Sequence, residues 1–216
     1  MNKRLTKSKI LKAKNTIEFL GNKILYELCE NHYWHVKNDK IISKVWMIGR
    51  CYAVAIERGR DNQHKPTTEF YEKDIPRIFK RSHLDNSLRK LKKIELSNDN
   101  LVECLKAHYS FMTKLESNIK LAKGSTNSNK RSFCSKYLHF HLPNLFFIYD
   151  SIVSKKINEF ITLKDIDTDF KKVLKEKVDK KYAEFFLKCY ILTNKIKKTH
   201  KINLTPRQLD NLLYFD

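Results

Sequence analysis

Asp150 is the residue whose setting in this sequence best suits chemistry. It follows five apolar residues, 145–149, and precedes a predicted helix that begins near Ser151. A carboxylate placed there is partly desolvated and is aimed by the helix start, so it can stabilise a developing cation or activate a nucleophile. The same pattern also predicts a structural alternative, in which the Asp150 side chain caps the helix by accepting a hydrogen bond from the N–H of Val153 or its neighbour.

A polar loop and several cations lie before Asp150. Residues 124–129, GSTNSN, are all small or polar and form the clearest loop in the sequence. A helix is predicted from about Lys130 to His141, so the loop leaves free backbone N–H groups at a helix N-terminus beside basic side chains. The pattern predicts a site for a DNA phosphate, and an ordinary capped helix start is the alternative. The predicted DNA contacts are Ser125, Asn127, Arg131 and Ser132.

The elements that must position these residues are helices. Apolar residues recur at helical spacing along most of the chain, and only 4 Gly and 4 Pro are present, too few for the turns of a many-stranded sandwich or barrel. The sequence therefore predicts an all-α protein, a compact bundle of about eight to ten helices. One domain is expected over residues 1–216, with the 124–129 loop as a candidate division into two lobes. The predicted helices span about 5–32, 40–57, 66–82, 85–94, 101–123, 130–141, 167–178 and 180–199, with two more beginning at Ser151 and Pro206; Pro76 is expected as a break or a first-turn residue.

The order loop, helix, short apolar connector, Asp, helix is similar to that of the helix-hairpin-helix DNA glycosylase superfamily. In that family the hairpin grips the DNA backbone, and an Asp follows in a segment of the type P-x-D-x-x-V. Residues 147–153, FIYDSIV, resemble that segment. The resemblance covers residues 124–153 and implies a glycosylase-like helical fold. It also implies that Asp150 helps to break the N-glycosidic bond of a damaged or modified base turned out of the duplex.

The resemblance leaves the identity of a catalytic lysine open. Bifunctional members carry this lysine in the helix after the hairpin, and Lys130 and Lys136 lie 20 and 14 residues before Asp150. The family hairpin usually has a Gly-x-Gly turn, but here only Gly124 is present. The four-cysteine iron–sulfur site of some members cannot be built from five scattered cysteines, which are expected to be reduced thiols, so no cofactor is predicted.

A second group of candidates lies in the helix predicted over 40–57. Trp46 and Tyr52, and Phe133 from a later helix, are candidates of which one stacks on an extruded base, with a place in the core as the alternative for each. Arg50 lies in an otherwise apolar helix and needs a partner, because burying an unpaired charge is costly. That partner is Asp150, Glu57 or a nucleic-acid phosphate, and an internal salt bridge is the structural alternative.

His139 and His141 are two residues apart in one predicted helix, so their side chains point in different directions and no metal site is predicted. One of the two is predicted to face Asp150 and help to orient it, and His139 is a predicted DNA contact; a satisfied structural histidine is the alternative for each. Lys80 and Arg81 belong to a basic stretch, 77–83, whose cationic face is predicted to contact DNA phosphates.

The overall charge is consistent with a polyanionic partner. The chain has 44 Lys and Arg against 24 Asp and Glu, a formal net charge of +20, and nucleic acid is the commonest polyanion. Lys, Asn and Ile are all abundant, as in chains from AT-rich genomes, so compositional drift is the alternative source of the lysine excess. The N-terminus lacks the apolar run of a signal peptide, and no window is apolar enough to span a membrane, so a cytoplasmic location is expected, nucleoid-associated if the protein binds DNA.

The sequence therefore predicts a DNA-binding protein that resembles base-excision DNA glycosylases and acts on double-stranded DNA. The alternative is a non-catalytic nucleic-acid-binding protein of mobile-element or phage-defence type, which uses the same hairpin only to grip the backbone. A helical module for an acidic protein partner is a third hypothesis.

Overall fold

The computed structural model describes residues 5–61, 66–123 and 130–215, so the predicted DNA contacts Ser125 and Asn127 lie outside the described residues. Within these ranges the protein is all-α, as predicted, and the only pairing of β type is an isolated bridge between Arg60 and Leu121. None of the described helices is long and apolar enough to cross a membrane.

The α-helices are α1 (Lys7–Lys14), α2 (Leu20–Asn31), α3 (Asn38–Cys51), α4 (Thr67–Glu69), α5 (Ile75–Lys80), α6 (Leu84–Leu91), α7 (Leu101–Asn118), α8 (Arg131–His141), α9 (Ser151–Lys156), α10 (Thr168–Val173), α11 (Lys180–His200) and α12 (Pro206–Phe215).

The helix predicted over 5–32 is in fact two helices, α1 and α2. The Thr16 hydroxyl donates a hydrogen bond to the Lys12 carbonyl at the end of α1, and the backbone is extended at Phe19 before α2 begins. Asn and Thr side chains compete in this way with the helical hydrogen bonds of the backbone. The apolar spacing was therefore a correct sign of helix but did not reveal the break.

The segment after Pro66 is a continuous helical run, in which α4 and α5 are joined by a π turn at Phe70–Asp74. Pro76 has no N–H to donate and would clash with the preceding turn of a regular α-helix. The π turn lies immediately before α5, so that Pro76 falls in the first turn of α5, where a missing N–H is tolerated. Pro76 is thus a first-turn residue.

Helix α8 lies at the centre of the fold and contacts α2, α3 and α7. Every residue from Phe133 to His141 is buried, including Lys136, His139 and His141. A helix buried on all sides can keep polar residues only if they find partners inside the protein. The polar groups of α8 therefore organise the surrounding elements as well as the core.

The C-terminal helix α12 packs against α1 and α9. It begins with a reciprocal cap, because the Thr205 hydroxyl accepts a hydrogen bond from the Gln208 N–H at 3.2 Å and the Gln208 Oε1 accepts one from the Thr205 N–H at 2.9 Å. The start predicted at Pro206 is confirmed. This contact places α12 beside the helix that begins after Asp150.

Candidate functional site

A pocket of about 840 Å³ opens between the end of α3, the start of α8 and the start of α9. Its charged lining residues are four cations and one carboxylate, and four aromatic rings also line it. The charged residues are Arg58, Lys130, Lys136, Lys155 and Asp150, and the aromatic residues are Tyr52, Phe133, Tyr149 and Tyr214. The excess of cations favours an anionic ligand, and the rings offer stacking surfaces for a planar one.

Asp150 both caps α9 and lines this pocket. Its Oδ1 accepts hydrogen bonds from the N–H groups of Ile152 and Val153, both at 2.8 Å, so the predicted N-cap is present. Both hydrogen bonds that Asp150 accepts from the described residues go to Oδ1. The cap therefore fixes the carboxylate at the pocket through one of its two oxygens.

Lys136 places a buried amine in the same pocket, with only 2% of the residue exposed. Its Nζ donates hydrogen bonds to the Ser132 hydroxyl at 2.9 Å and to the Tyr149 carbonyl at 2.7 Å. Burial lowers the pKa of Lys136 to about 8, against the opposing charges of Asp150 and Asp210. In its neutral form the amine keeps two N–H groups for these two acceptors and has a lone pair free to act as nucleophile or base.

The apolar connector that carries Asp150 is tied to α8 through the backbone of Tyr149. The Ser132 hydroxyl donates to the Tyr149 carbonyl at 2.8 Å, and the Tyr149 N–H donates to the Ser135 hydroxyl at 3.1 Å. Farther back along the connector, the Tyr182 hydroxyl donates to the Phe147 carbonyl at 2.9 Å. These bonds satisfy buried backbone groups and hold Asp150 on the same side of α8 as Lys136.

Lys130 also lines the pocket, but its amine points to a different partner. Its Nζ donates to the Arg58 carbonyl at 3.1 Å. Burial lowers the pKa of Lys130, and the acidic groups that oppose this fall are Cys134, Glu116 and Glu57 rather than Asp150. Of the two candidate lysines, Lys136 is therefore the one coupled to Asp150.

Tyr52 forms one wall of the pocket, as a base-stacking residue would. Its hydroxyl donates to the Asn22 Oδ1 at 2.6 Å and accepts from the Arg207 Nη2 at 2.8 Å. The Lys136 Nζ lies 5.8 Å from the centre of the Tyr52 ring. The ring is thus fixed at its hydroxyl end and lies beside the amine.

Trp46 and Arg50 are not among the residues that line the pocket. Trp46 is half exposed, and the Arg50 guanidinium lies over its ring at 5.4 Å from the centroid. The Arg50 Nη2 is 2.8 Å from the Glu57 Oε1, so this arginine pairs with Glu57, one of the three candidate partners. Base stacking by Trp46 and DNA contact by Arg50 stay predictions.

The predicted roles of His139 need correction, because this residue has no exposed surface. Its Nδ1 is hydrogen-bonded to the Phe146 carbonyl at 2.7 Å and its Nε2 to the Tyr26 hydroxyl at 2.6 Å. With both ring nitrogens used inside the protein, His139 neither orients Asp150 directly nor offers an atom to DNA. It is the satisfied structural histidine of the alternative hypothesis.

The other predicted DNA contacts lie in two places. The Arg131 guanidinium makes a two-pronged ion pair with the Asp179 carboxylate, and Ser132 lines the pocket. Lys80 and Arg81 are exposed at the end of α5, away from the residues that line the pocket. DNA contact by these four residues stays a prediction.

Three features of the site were not predicted from the sequence. They are the Ser132 hydroxyl as a partner of Lys136, the cations Arg58 and Lys155, and the two α12 residues Tyr214 and Arg207. Ser132 and Lys136 are four residues apart on one helix face, which was the available signal for their contact. Nothing local in the sequence links α12 to a pocket formed more than fifty residues earlier.

Within the described part of the chain, no group of three or more His, Cys, Asp or Glu side chains is placed to hold a metal ion. The chain matches no protein-family model, no curated protein and no solved structure.

Proposed function

We propose that this protein binds double-stranded DNA and cleaves the N-glycosidic bond of a damaged or modified base in the pocket beside Asp150. The observation that carries the proposal is the convergence of the Asp150 carboxylate and the buried Lys136 amine on one cation-rich pocket. Helices arranged as in the helix-hairpin-helix glycosylases are part of the same proposal.

The pocket has the size and lining that an extruded nucleotide needs. Its volume of about 840 Å³ lies within the ~300–1,000 Å³ typical of ligand pockets. Aromatic rings such as Tyr52 supply stacking for a base taken out of the duplex, and the exposed cations Arg58 and Lys155 supply charge for the flanking phosphates. The net charge of +20 brings the polyanion to this surface.

The chemistry follows from the neutral form of Lys136. Its nitrogen forms a bond to C1′ of the sugar while the bond from C1′ to the base breaks, and the base leaves with the electron pair. The nitrogen loses a proton as it becomes bonded to carbon, the departing base takes up that proton, and Oδ2 of Asp150 stabilises the positive charge that develops on the sugar. If water is the nucleophile instead, Asp150 activates the water and Lys136 contributes only charge.

The test is incubation of the protein with duplexes that carry a panel of damaged and modified bases, scored for base release and for a borohydride-trapped protein–DNA adduct. We expect base release with at least one duplex and loss of the adduct in Lys136→Met. The matched control is Lys44→Met, which removes a second buried lysine outside the pocket lining. Equal release by wild type and Asp150→Asn would remove Asp150 from the mechanism.

A non-catalytic nucleic-acid-binding protein is the second candidate, and one observation favours it. The two cap hydrogen bonds to Oδ1 explain the position of Asp150 without any chemistry. This candidate predicts salt-dependent DNA binding, with a log–log slope that reflects several phosphates, and no base release from any duplex.

A further inference from the structure

Arg207 lies behind the pocket wall, in the first turn of α12. It donates hydrogen bonds to three side chains, and its Nε also lies 3.7 Å from the Glu18 Oε2. Its Nη2 donates to the Tyr52 hydroxyl at 2.8 Å, its Nη1 to the Asp210 Oδ2 at 3.1 Å and its Nε to the Tyr26 hydroxyl at 3.3 Å. The guanidinium is largely buried and also lies 5.9 Å from the centre of the Tyr52 ring. A planar guanidinium with several fixed donors is well suited to hold such a set of partners in one geometry.

The hydrogen bonds extend from Arg207 to the central helix. The Tyr26 hydroxyl is bonded to His139 of α8, whose other ring nitrogen is bonded to the Phe146 carbonyl of the connector. The network therefore joins α2, α3, α8 and α12 to the connector that ends at Asp150. A network of hydrogen-bonded polar groups favours one arrangement of the elements it joins.

Tyr52 needs such support because the chain leaves its helix at this residue. Tyr52 is the C-cap of α3, and Ala53 has a φ of 51°, in the left-handed region that non-glycine residues rarely adopt. Its hydroxyl uses both its donor and its acceptor capacity, on Asn22 and Arg207. The orientation of the ring is therefore set from the hydroxyl end.

Asp210 completes the arrangement. One of its oxygens holds Arg207, and Oδ1 is buried and accepts no hydrogen bond in the described part of the chain. A buried carboxylate oxygen left in this state is costly. The Asp210 charge offsets that of Arg207 next to the pocket.

We propose that Arg207 and Asp210 are positioning residues, which fix the Tyr52 ring as the surface on which an extruded base stacks beside Lys136. Neither residue lines the pocket, so their effect passes through Tyr52. The inference rests on the proposed function in one respect, namely that a base enters this pocket.

The experiment uses the full chain and a DNA duplex with 2-aminopurine opposite cytosine, a mismatch that makes extrusion of the base less costly. Anisotropy reports binding. 2-Aminopurine stacked in the duplex is itself quenched, so bright emission with Tyr52→Ala shows that the base is extruded, and lower emission with wild type then reports stacking on the Tyr52 ring. Wild type is expected to quench the extruded base. With each protein at a concentration that saturates the duplex by anisotropy, Arg207→Lys and Tyr52→Phe are expected to lose most of the quenching, because each removes the Arg207–Tyr52 hydrogen bond.

Two further variants separate positioning from general loss of stability. Tyr52→Ala sets the signal expected with no ring, and Leu88→Ala, in the buried part of α6, lowers stability without touching the Tyr52 network. Leu88→Ala should quench like wild type.

The quenching by Asp210→Asn is expected to lie between that of wild type and that of Arg207→Lys, because the substitution weakens the hold on Arg207 without removing its donors.

The outcomes distinguish this inference from the proposed function. Wild-type quenching in Arg207→Lys and Tyr52→Phe, or no quenching by the wild type, would overturn the positioning roles. Quenching that depends on Arg207, together with no base release from any duplex, would support the positioning roles and contradict the glycosylase chemistry.

Discussion

The amines of two buried lysines lie near opposite ends of α8, beside Ser132 and His141, and their surroundings differ in an instructive way. Lys44 of α3 has no exposed surface, and Lys136 of α8 has only 2%. The Lys44 Nζ donates to the His32 carbonyl at 2.9 Å and is 3.1 Å from the His141 Nε2. Burial lowers the pKa of each lysine to about 8. By burial and pKa alone, the two residues are equivalent.

Lys44 and Lys136 differ in their access to a ligand. Lys136 lines the pocket and interacts with the charge of Asp150, whereas Lys44 is not part of the pocket lining. Beside Lys44, the chain Asp85–His35–Tyr137 has hydrogen bonds of 2.5 and 2.7 Å and an order of acid, imidazole and hydroxyl that suggests catalysis. These side chains do not line the pocket either. A lowered pKa or a hydrogen-bonded triad is therefore weak evidence of a site without a place for substrate.

The largest effect is expected on base release. Lys136→Met should reduce release by about 10³-fold, because it removes the nucleophile that the proposal requires. Lys44→Met should release base at the wild-type rate under conditions where it is folded. Single-turnover base release at saturating protein measures both. A loss of the same size in both variants would mean that the two lysines act through a common structural effect.

For stability the order of the two variants is expected to reverse, with Lys44→Met losing more than Lys136→Met. Lys44→Met leaves the His32 carbonyl and the His141 Nε2 without their donor, so the free energy of unfolding should fall by about 1–3 kcal/mol. Lys136→Met leaves the Tyr149 carbonyl and the Ser132 hydroxyl still bonded to each other, so its loss should be below about 1 kcal/mol. Urea unfolding measures both, and a larger loss in Lys136→Met would contradict the comparison.

The reactivity of the two amines with pH gives a finer test. In competitive labelling with acetic anhydride, Lys136 should react increasingly as pH rises through about 8, whereas Lys44 should be protected in the folded protein despite its similar pKa. Asp150→Asn should move the Lys136 midpoint to lower pH, because the Asp150 charge raises the pKa of Lys136. Mass spectrometry of each peptide reads out the midpoints, and an upward shift in Asp150→Asn would contradict the coupling.

The same pKa values have a consequence for stability, whose direction follows from proton linkage. The folded pKa of about 8 for each lysine lies below that of an unfolded lysine, ~10.4, so the unfolded chain holds more protons between these pH values. The contribution of both lysines to stability therefore rises with pH across that window.

Local patterns in the sequence were enough to predict much of this fold. Apolar spacing predicted the helices, the polar cluster at Thr205 and Pro206 predicted the start of α12, and the residues around Asp150 predicted its cap. The break between α1 and α2 was not predicted, because side chains that compete with helical hydrogen bonds leave the apolar spacing almost unchanged.

The site was predictable only where its parts are near one another in the chain. Lys130, Ser132, Lys136 and Asp150 lie within one stretch of the sequence, and the fold brings them to one pocket. Arg207 reaches Tyr52 across 155 positions, and His139 uses a hydroxyl from α2, so neither partner had a local signal. The sequence shows that Arg50 is charged but not which group it pairs with. Its ion pair with Glu57 could therefore not be told from a phosphate contact.

The smallest effect is expected from Asp150→Asn on stability, and it separates the two roles of Asp150. Asn is as good an N-cap as Asp, so its side-chain oxygen should keep the hydrogen bonds to the Ile152 and Val153 N–H groups, and the free energy of unfolding should change by less than about 0.5 kcal/mol. Asp150→Ala loses the cap and should cost about 1 kcal/mol. If both variants release base equally slowly in single-turnover assays while only Asp150→Ala is less stable in urea, the charge serves the reaction and the cap serves the fold. Normal release by Asp150→Asn would leave Asp150 with the cap alone, and the pocket would then be a binding site without this carboxylate in its chemistry.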